Sequence, residues 1–221
     1  GHGTSIGGMI VDGGNFDWEA HAERQPLLNT PDPSYHGAVW TQAVKPLGPI
    51  AYAIRLRVIL LRDLGAAMSP FNAFQFLQGV ETLPLRMPRH CENAQAVATY
   101  LSKRKGVTKV IHPSLQTGVQ EKRAEKYLCG GYGGLLGFEL AGGVDAGRKF
   151  IDSLQLFYHV ANIGDARSLA IHPASTTHSQ LSPEEQLKTG VTPGYIRLSV
   201  GLEHIDDIIG DIEQALQAAG V

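Results

Sequence analysis

Tyr195-Ile196-Arg197-Leu198-Ser199-Val200 carries a two-residue period. Successive side chains of an extended chain point to opposite sides, so Ile196, Leu198 and Val200 share one face and Tyr195, Arg197 and Ser199 the other. The first face belongs against a core; the second presents a guanidinium from a rigid element. A planar fork of donors held there is suited to gripping a carboxylate through two parallel hydrogen bonds, which a lysine ammonium does not reproduce. The same arginine also suits a solvent-exposed position or a structural ion pair.

Outward from this strand the pattern alternates between the two regular structures. Downstream, Ile205, Ile208, Ile209, Ile212 and Leu216 recur at helical spacing, with Asp206 and Asp207 beside the N-terminal dipole. Upstream, residues 169–171 read as a strand, and Leu136, Phe138 and Leu140 alternate with Leu135, Gly137 and Glu139 as another. Residues 109–112 give a short strand and 121–128 a helix, and Asp145 is expected to cap a helix bearing Phe150, Ile151, Leu154 and Tyr158. An α/β domain follows from this order.

The N-terminal part is less regular. Met9, Ile10 and Val11 suggest a short buried strand stopped by Gly13 and Gly14. Residues 15–49 hold Pro26, Pro31, Pro33, Pro46 and Pro49 without sustained periodicity, as a long loop does. From Ile50 the residues Ile54, Val58, Leu61 and Leu64 recur helically until Gly65. Ser69-Pro70 then opens a helix carrying Phe71, Phe74, Leu77 and Val80, and Ala94, Val97, Ala98 and Leu101 mark another that closes at Gly106. Pro84 and Pro88 mark the expected domain boundary, which divides the chain into 1–85 and 86–221.

Composition narrows the function classes. The chain has 221 residues, 43% of them hydrophobic, and a formal net charge of −2 with its Lys and Arg scattered, so no basic stripe offers itself to nucleic acid. Val58-Ile59-Leu60-Leu61 lies between arginines and falls far short of a membrane span. Cys91 and Cys129 have no paired spacing and no secretory leader precedes them, which points to a reducing compartment and a cytoplasmic protein. The opening at Gly1, without an initiator Met, suggests a truncated or processed product.

Several motifs invite chemistry and do not sustain it. His172 and His178 lie six apart without cysteine or acidic partners at ligand spacing, so no metal is expected. In Gly130-Gly131-Tyr132-Gly133-Gly134-Leu135-Leu136-Gly137 the third glycine of a dinucleotide loop would fall on Leu136, and a strand rather than a helix follows. Cys91, between His90 and Glu92 at a helix start, suits a partly buried bystander better than an activated thiolate.

Five segments together carry a resemblance. Gly1-His2-Gly3-Thr4-Ser5-Ile6-Gly7-Gly8, Glu81-Thr82-Leu83-Pro84-Leu85-Arg86-Met87, Asn162-Ile163-Gly164-Asp165-Ala166-Arg167-Ser168-Leu169, His172-Pro173-Ala174-Ser175-Thr176-Thr177-His178 and Ile196-Arg197-Leu198-Ser199-Val200-Gly201 closely resemble the Cys/Met-metabolism family of pyridoxal-phosphate enzymes, in the family's order and across essentially the whole chain. Asn29-Thr30-Pro31-Asp32-Pro33-Ser34-Tyr35-His36, Ser69-Pro70-Phe71-Asn72-Ala73-Phe74 and Asn162 resemble its O-acetylhomoserine sulfhydrylase branch.

The resemblance implies a fold-type-I, aminotransferase-like architecture in which residues 1–85 complete the large cofactor domain and 86–221 form the small one. It implies pyridoxal 5'-phosphate as cofactor and a γ-replacement on O-acetylhomoserine, with sulfide or methanethiol giving homocysteine or methionine plus acetate. Cystathionine γ-synthase and methionine γ-lyase chemistry are the family's alternatives. It also implies a homotetramer, with Arg197 clamping the substrate carboxylate, Asn162 assisting and Thr177 supporting the guanidinium. The family's Schiff-base lysine lies before the Gly-His-Gly stretch, so none is expected in this chain, and the cofactor contacts cannot be assigned. Alone the chain is expected to be inactive, or to act only in assembly.

Overall fold

The computed structural model describes residues 2–221. Contacts divide them into two compact units, Gly7–Phe74 and a larger one made of residues 2–6 with Gln75–Val221.

In the smaller unit, short helices α1 (Pro26–Asn29), α2 (Trp40–Ala43) and α3 (Ala51–Arg55) gather Leu28, Trp40, Val44 and Ala51 into a small core. Side chains replace the missing regular hydrogen bonding. Trp40 Nε1 donates to Asp32 at 2.9 Å, Trp18 Nε1 to the Pro49 carbonyl at 3.2 Å, and Thr41 Oγ1 to Asn29 at 3.0 Å. The segment expected to be one long loop is thus broken by single helical turns, which are too short to show a period. Helix α3 runs on as a π-helix over Leu56–Asp63 and stops before Gly65, whose φ of +73° suits glycine alone at low cost.

The strand expected at Met9, Ile10 and Val11 is absent. These residues have no regular structure, with Met9 87% and Val11 82% exposed. A strand requires a hydrogen-bonded neighbour, and among the described residues none pairs with this segment. Helix α4 (Pro70–Glu81) follows and joins the units along the chain.

The larger unit continues with α5 (Leu83–Leu101), β1 (Val107–Ile111), α6 (Val119–Tyr127), β2 (Leu135–Leu140), α7 (Gly143–Ser153), β3 (Tyr158–His159), β4 (Leu169–Ile171), α8 (Pro183–Lys188), β5 (Tyr195–Ser199) and α9 (Ile205–Ala219). Pro84 and Pro88 do not interrupt α5. Pro84 sits in its first turn, where an N–H would have no helical partner, and Pro88 forgoes one bond inside the helix.

The strands form one sheet in the order β1-β2-β5-β4-β3, antiparallel except for the β3–β4 pair. Register pairs Leu136 with Leu198 and Phe138 with Ile196, so both strands turn their apolar residues to the same side. There Val97 and Leu101 of α5, Phe150 of α7 and Ile208, Ile212 and Leu216 of α9 complete a core that is almost wholly dry. Removing this apolar surface from water is the main force holding the unit together.

Two details of α7 differ from the sequence pattern. Gly142 occupies the N-cap, and Asp145 lies inside the first turn. The helix ends at Ser153, so Tyr158 is a strand residue. The cause is distant in sequence: the buried Asp211 carboxylate of α9 accepts from the backbone N–H groups of Gln155, Leu156 and Phe157 at 2.8, 2.9 and 3.1 Å. A charged acceptor serving three N–H groups pulls the chain out of the helix.

Candidate functional site: an arginine on the open sheet face

Arg197 sits mid-sheet, opposite Gly137 on β2 and Ile171 on β4. Glycine at 137 is required by its neighbour, because a Cβ there would run into the Tyr195 ring. Burial of that ring pushes the phenol's pKa up, while Arg197 pulls it down and Glu139 adds to the rise, so the hydroxyl keeps its proton near neutrality.

Arg197 as a whole is half-buried. Its Nη2 donates to the Ala161 carbonyl at 2.6 Å and, more weakly, to the Asn162 carbonyl at 3.4 Å. Among the described residues no carboxylate lies within ion-pairing distance of it; Glu139, on the neighbouring strand, pairs instead with Lys109 at 3.6 Å. A cation oriented by backbone carbonyls keeps its charge unneutralised and available to an incoming anion.

Residues 161–165 lie beside the same strand face. Ser199 Oγ accepts from Gly164 N at 3.0 Å, and Asp165 accepts from Arg167 N at 3.1 Å. Gly3 packs so closely on the Asp165 carboxylate that any side chain there would collide with it, which brings Gly3 to the same loop. Asn162 meets Arg197 through its backbone; its side-chain amide makes no hydrogen bond to another described residue. Thr177 is exposed and its hydroxyl pairs with His178 Nδ1 at 2.9 Å rather than with the guanidinium. Of the three expected site residues, the structure therefore joins Arg197 to Asn162 and leaves Thr177 apart.

The remaining motifs have structural work. Both nitrogens of His172 are used, Nε2 by the Pro193 carbonyl and Nδ1 by Ser175 Oγ, each at 2.8 Å. Burial pushes its pKa down, the Pro193 bond opposing. Gly131 lies against Cys91, and Gly134 against His90 and the Val200 carbonyl, so the glycine-rich stretch is a tightly packed approach to β2.

Sequence reasoning missed Ser199, Gly137 and the Ala161 carbonyl. Their only mark is a shared strand face with Arg197, and, for a backbone carbonyl, no mark at all.

The fold and this arginine define the class: a mixed α/β domain presenting a guanidinium without an acidic partner from its central strand. The model of the Cys/Met metabolism PLP-dependent enzyme family matches residues 1–217, and the chain belongs to that family. It is 54% identical to the O-acetyl-L-homoserine sulfhydrylase of Leptospira meyeri and 51% identical to the homocysteine synthase of Schizosaccharomyces pombe, over 98% and 99% of its own length. The chain spans about half the length of these relatives, 50% in both cases. Among solved structures it is similar to a putative O-acetylhomoserine (thiol)-lyase of Campylobacter jejuni carrying a pyridoxyl-lysine monophosphate, with a TM-score of 0.75 and 44% identity over 88% of this chain and 45% of that one. The fold is that of a fold-type-I enzyme fragment.

For the family's cofactor the donor set in this chain is incomplete. Its basic side chain at the site is a guanidinium, which forms no imine, and the nearest strand lysine, Lys109, is paired with Glu139. A guanidinium grips an anionic oxygen pair, carboxylate or phosphate, but it cannot hold the cofactor's aldehyde.

Proposed function

We propose that this chain supplies the substrate-carboxylate grip of a complete pyridoxal-phosphate-dependent transferase that acts on O-acetylhomoserine, replacing acetate by sulfide or methanethiol to give homocysteine or methionine. One observation carries it: Arg197 is oriented by two carbonyls and left without an acidic partner. The names of the Leptospira and Schizosaccharomyces relatives support the choice of reaction. The cofactor, when bound, supplies the electron sink that this chemistry requires.

The chain's own residues bind and orient. Arg197 fixes the α-carboxylate by two parallel hydrogen bonds, and an orientation held in this way contributes several kcal/mol to a reaction barrier. Asn162 offers its free amide to the same carboxylate. Thr177 has the lesser role of supporting the guanidinium, which requires its hydroxyl to leave His178. In the complete protein residues 1–85 finish the large domain and 86–221 form the small one, in a cytoplasmic homotetramer.

The test uses the full-length enzyme with O-acetylhomoserine and either sulfide or cysteine. Homocysteine from sulfide supports the proposal, whereas cystathionine as the main product from cysteine points to cystathionine γ-synthase chemistry, and breakdown of methionine to the lyase. Arg197→Ala and Arg197→Lys are expected to raise KM and lower kcat/KM by at least about tenfold. Unchanged kinetics would remove Arg197 from the site. Asn162→Ala is expected to act in the same direction, more mildly.

A further inference from the structure

We infer that Ser199 is a positioning residue for the carboxylate grip, its buried hydroxyl tying residues 161–165 to β5 and so fixing the direction of the Arg197 guanidinium. The inference rests on the assignment of Arg197 to the substrate carboxylate.

Ser199 is 3% exposed, and its cross-strand partners are Leu135 and Leu169. A hydroxyl between two leucines gains nothing from packing and costs free energy unless it is hydrogen-bonded. Its partner is Gly164 N, at 3.0 Å. Gly164 has a φ of +76°, so the bond is made at the residue where the loop reverses, the point from which the preceding residues take their direction.

Two and three residues before it, Asn162 and Ala161 supply the carbonyls that receive Arg197 Nη2. Strand and loop are therefore joined twice, two residues apart on the same strand face. The Ser199 bond closes the first link, and that link holds both acceptors of the second in place. Without it the loop is free to withdraw its carbonyls, and the long arginine side chain regains rotamers that do not face the substrate.

The experiment is a double-mutant cycle in the full-length holoenzyme. It compares Ser199→Ala, Arg197→Ala and the double variant by KM for O-acetylhomoserine and by the calorimetric Kd of L-norleucine, an amino acid without a leaving group. Ser199→Ala is expected to raise both by about five- to tenfold, with kcat and the unfolding midpoint little changed. In the Arg197→Ala background the same substitution is expected to change neither, because its effect passes through the guanidinium.

Equal effects in both backgrounds, or a lower midpoint with unchanged KM and Kd, overturn the inference. A KM that rises in Arg197→Ala but not in Ser199→Ala overturns it alone, while an unchanged KM in Arg197→Ala overturns the grip itself. Should Ser199→Ala fail to fold, Ser199→Cys, close in shape but a weak acceptor, must still raise the norleucine Kd; an unchanged Kd refutes the role.

Discussion

Asp211 concentrates more hydrogen bonding on one carboxylate than any simple helix residue requires, and it does so on the apolar side of the sheet. Its oxygens hold Gln155, Leu156 and Phe157, and Gln214 bridges it to the Ser153 carbonyl. Replacing it by alanine leaves three backbone donors unserved where water reaches them poorly. Asp211→Ala is expected to lower stability by about 3 kcal/mol, seen as a lower urea midpoint at unchanged slope. A loss below about 0.5 kcal/mol would show that these donors find other partners. His172 gives a pH signature on the same scale. Burial holds its folded pKa below the unfolded value of 6.5, so its contribution is complete above that value and declines as pH falls through it. His112 is lowered by burial too and adds to the same slope. The chain should lose stability as pH falls below about 6.5, and His172→Gln, less stable throughout, should show a shallower pH dependence by chemical denaturation. An unchanged slope would place the titration elsewhere.

Strands β2 and β5 meet where Gly137 gives its side-chain space to Tyr195. Gly137→Ala should cost about 2 kcal/mol, since the new Cβ and the ring cannot share that volume. In a Tyr195→Ala background the cost should largely vanish, and additive losses by thermal denaturation would mean that the backbone of β2, not the ring, resists the change. This pair also shows what a sequence discloses about elements. The alternation in 135–140 and 195–200 is the physical consequence of one face meeting the α5, α7 and α9 core, so both strands and the stripe of α9 were readable in advance. Strand β3 has two residues and cannot display a period. The end of α7 was misplaced because Asp211 sets it from more than fifty residues away. Helix α8 escaped notice although Ser182 and Glu185 form a capping box, a signal strong in itself but followed by only six helical residues. For the site, the alternation singled out Arg197 as a residue presented rather than packed. Its carbonyl partners lie 36 and 35 residues upstream and act through backbone atoms, which no side-chain pattern encodes.

At the scale of the whole molecule the two kinds of apolar surface part company. The core of the larger unit is closed, while α4 holds Phe71, Phe74, Leu77 and Val80 out to solvent, with Phe71 81% exposed, and Met9, Ile10 and Val11 are likewise bare. Single exposed hydrophobics are ordinary, but a helix that bares four of them carries apolar surface of the kind that associates. The charge of −2 over 221 residues offers little repulsion to oppose this. The 221-residue chain on its own should therefore self-associate in sedimentation velocity and bind a hydrophobic dye. Phe74→Lys combined with Leu77→Glu should reduce both, without lowering the unfolding midpoint, because neither side chain belongs to a buried core. Unchanged association in that double variant would move the adhesive surface to residues 9–11, where Ile10→Lys is the corresponding probe, and a lower midpoint would show that the α4 stripe is packed in solution after all.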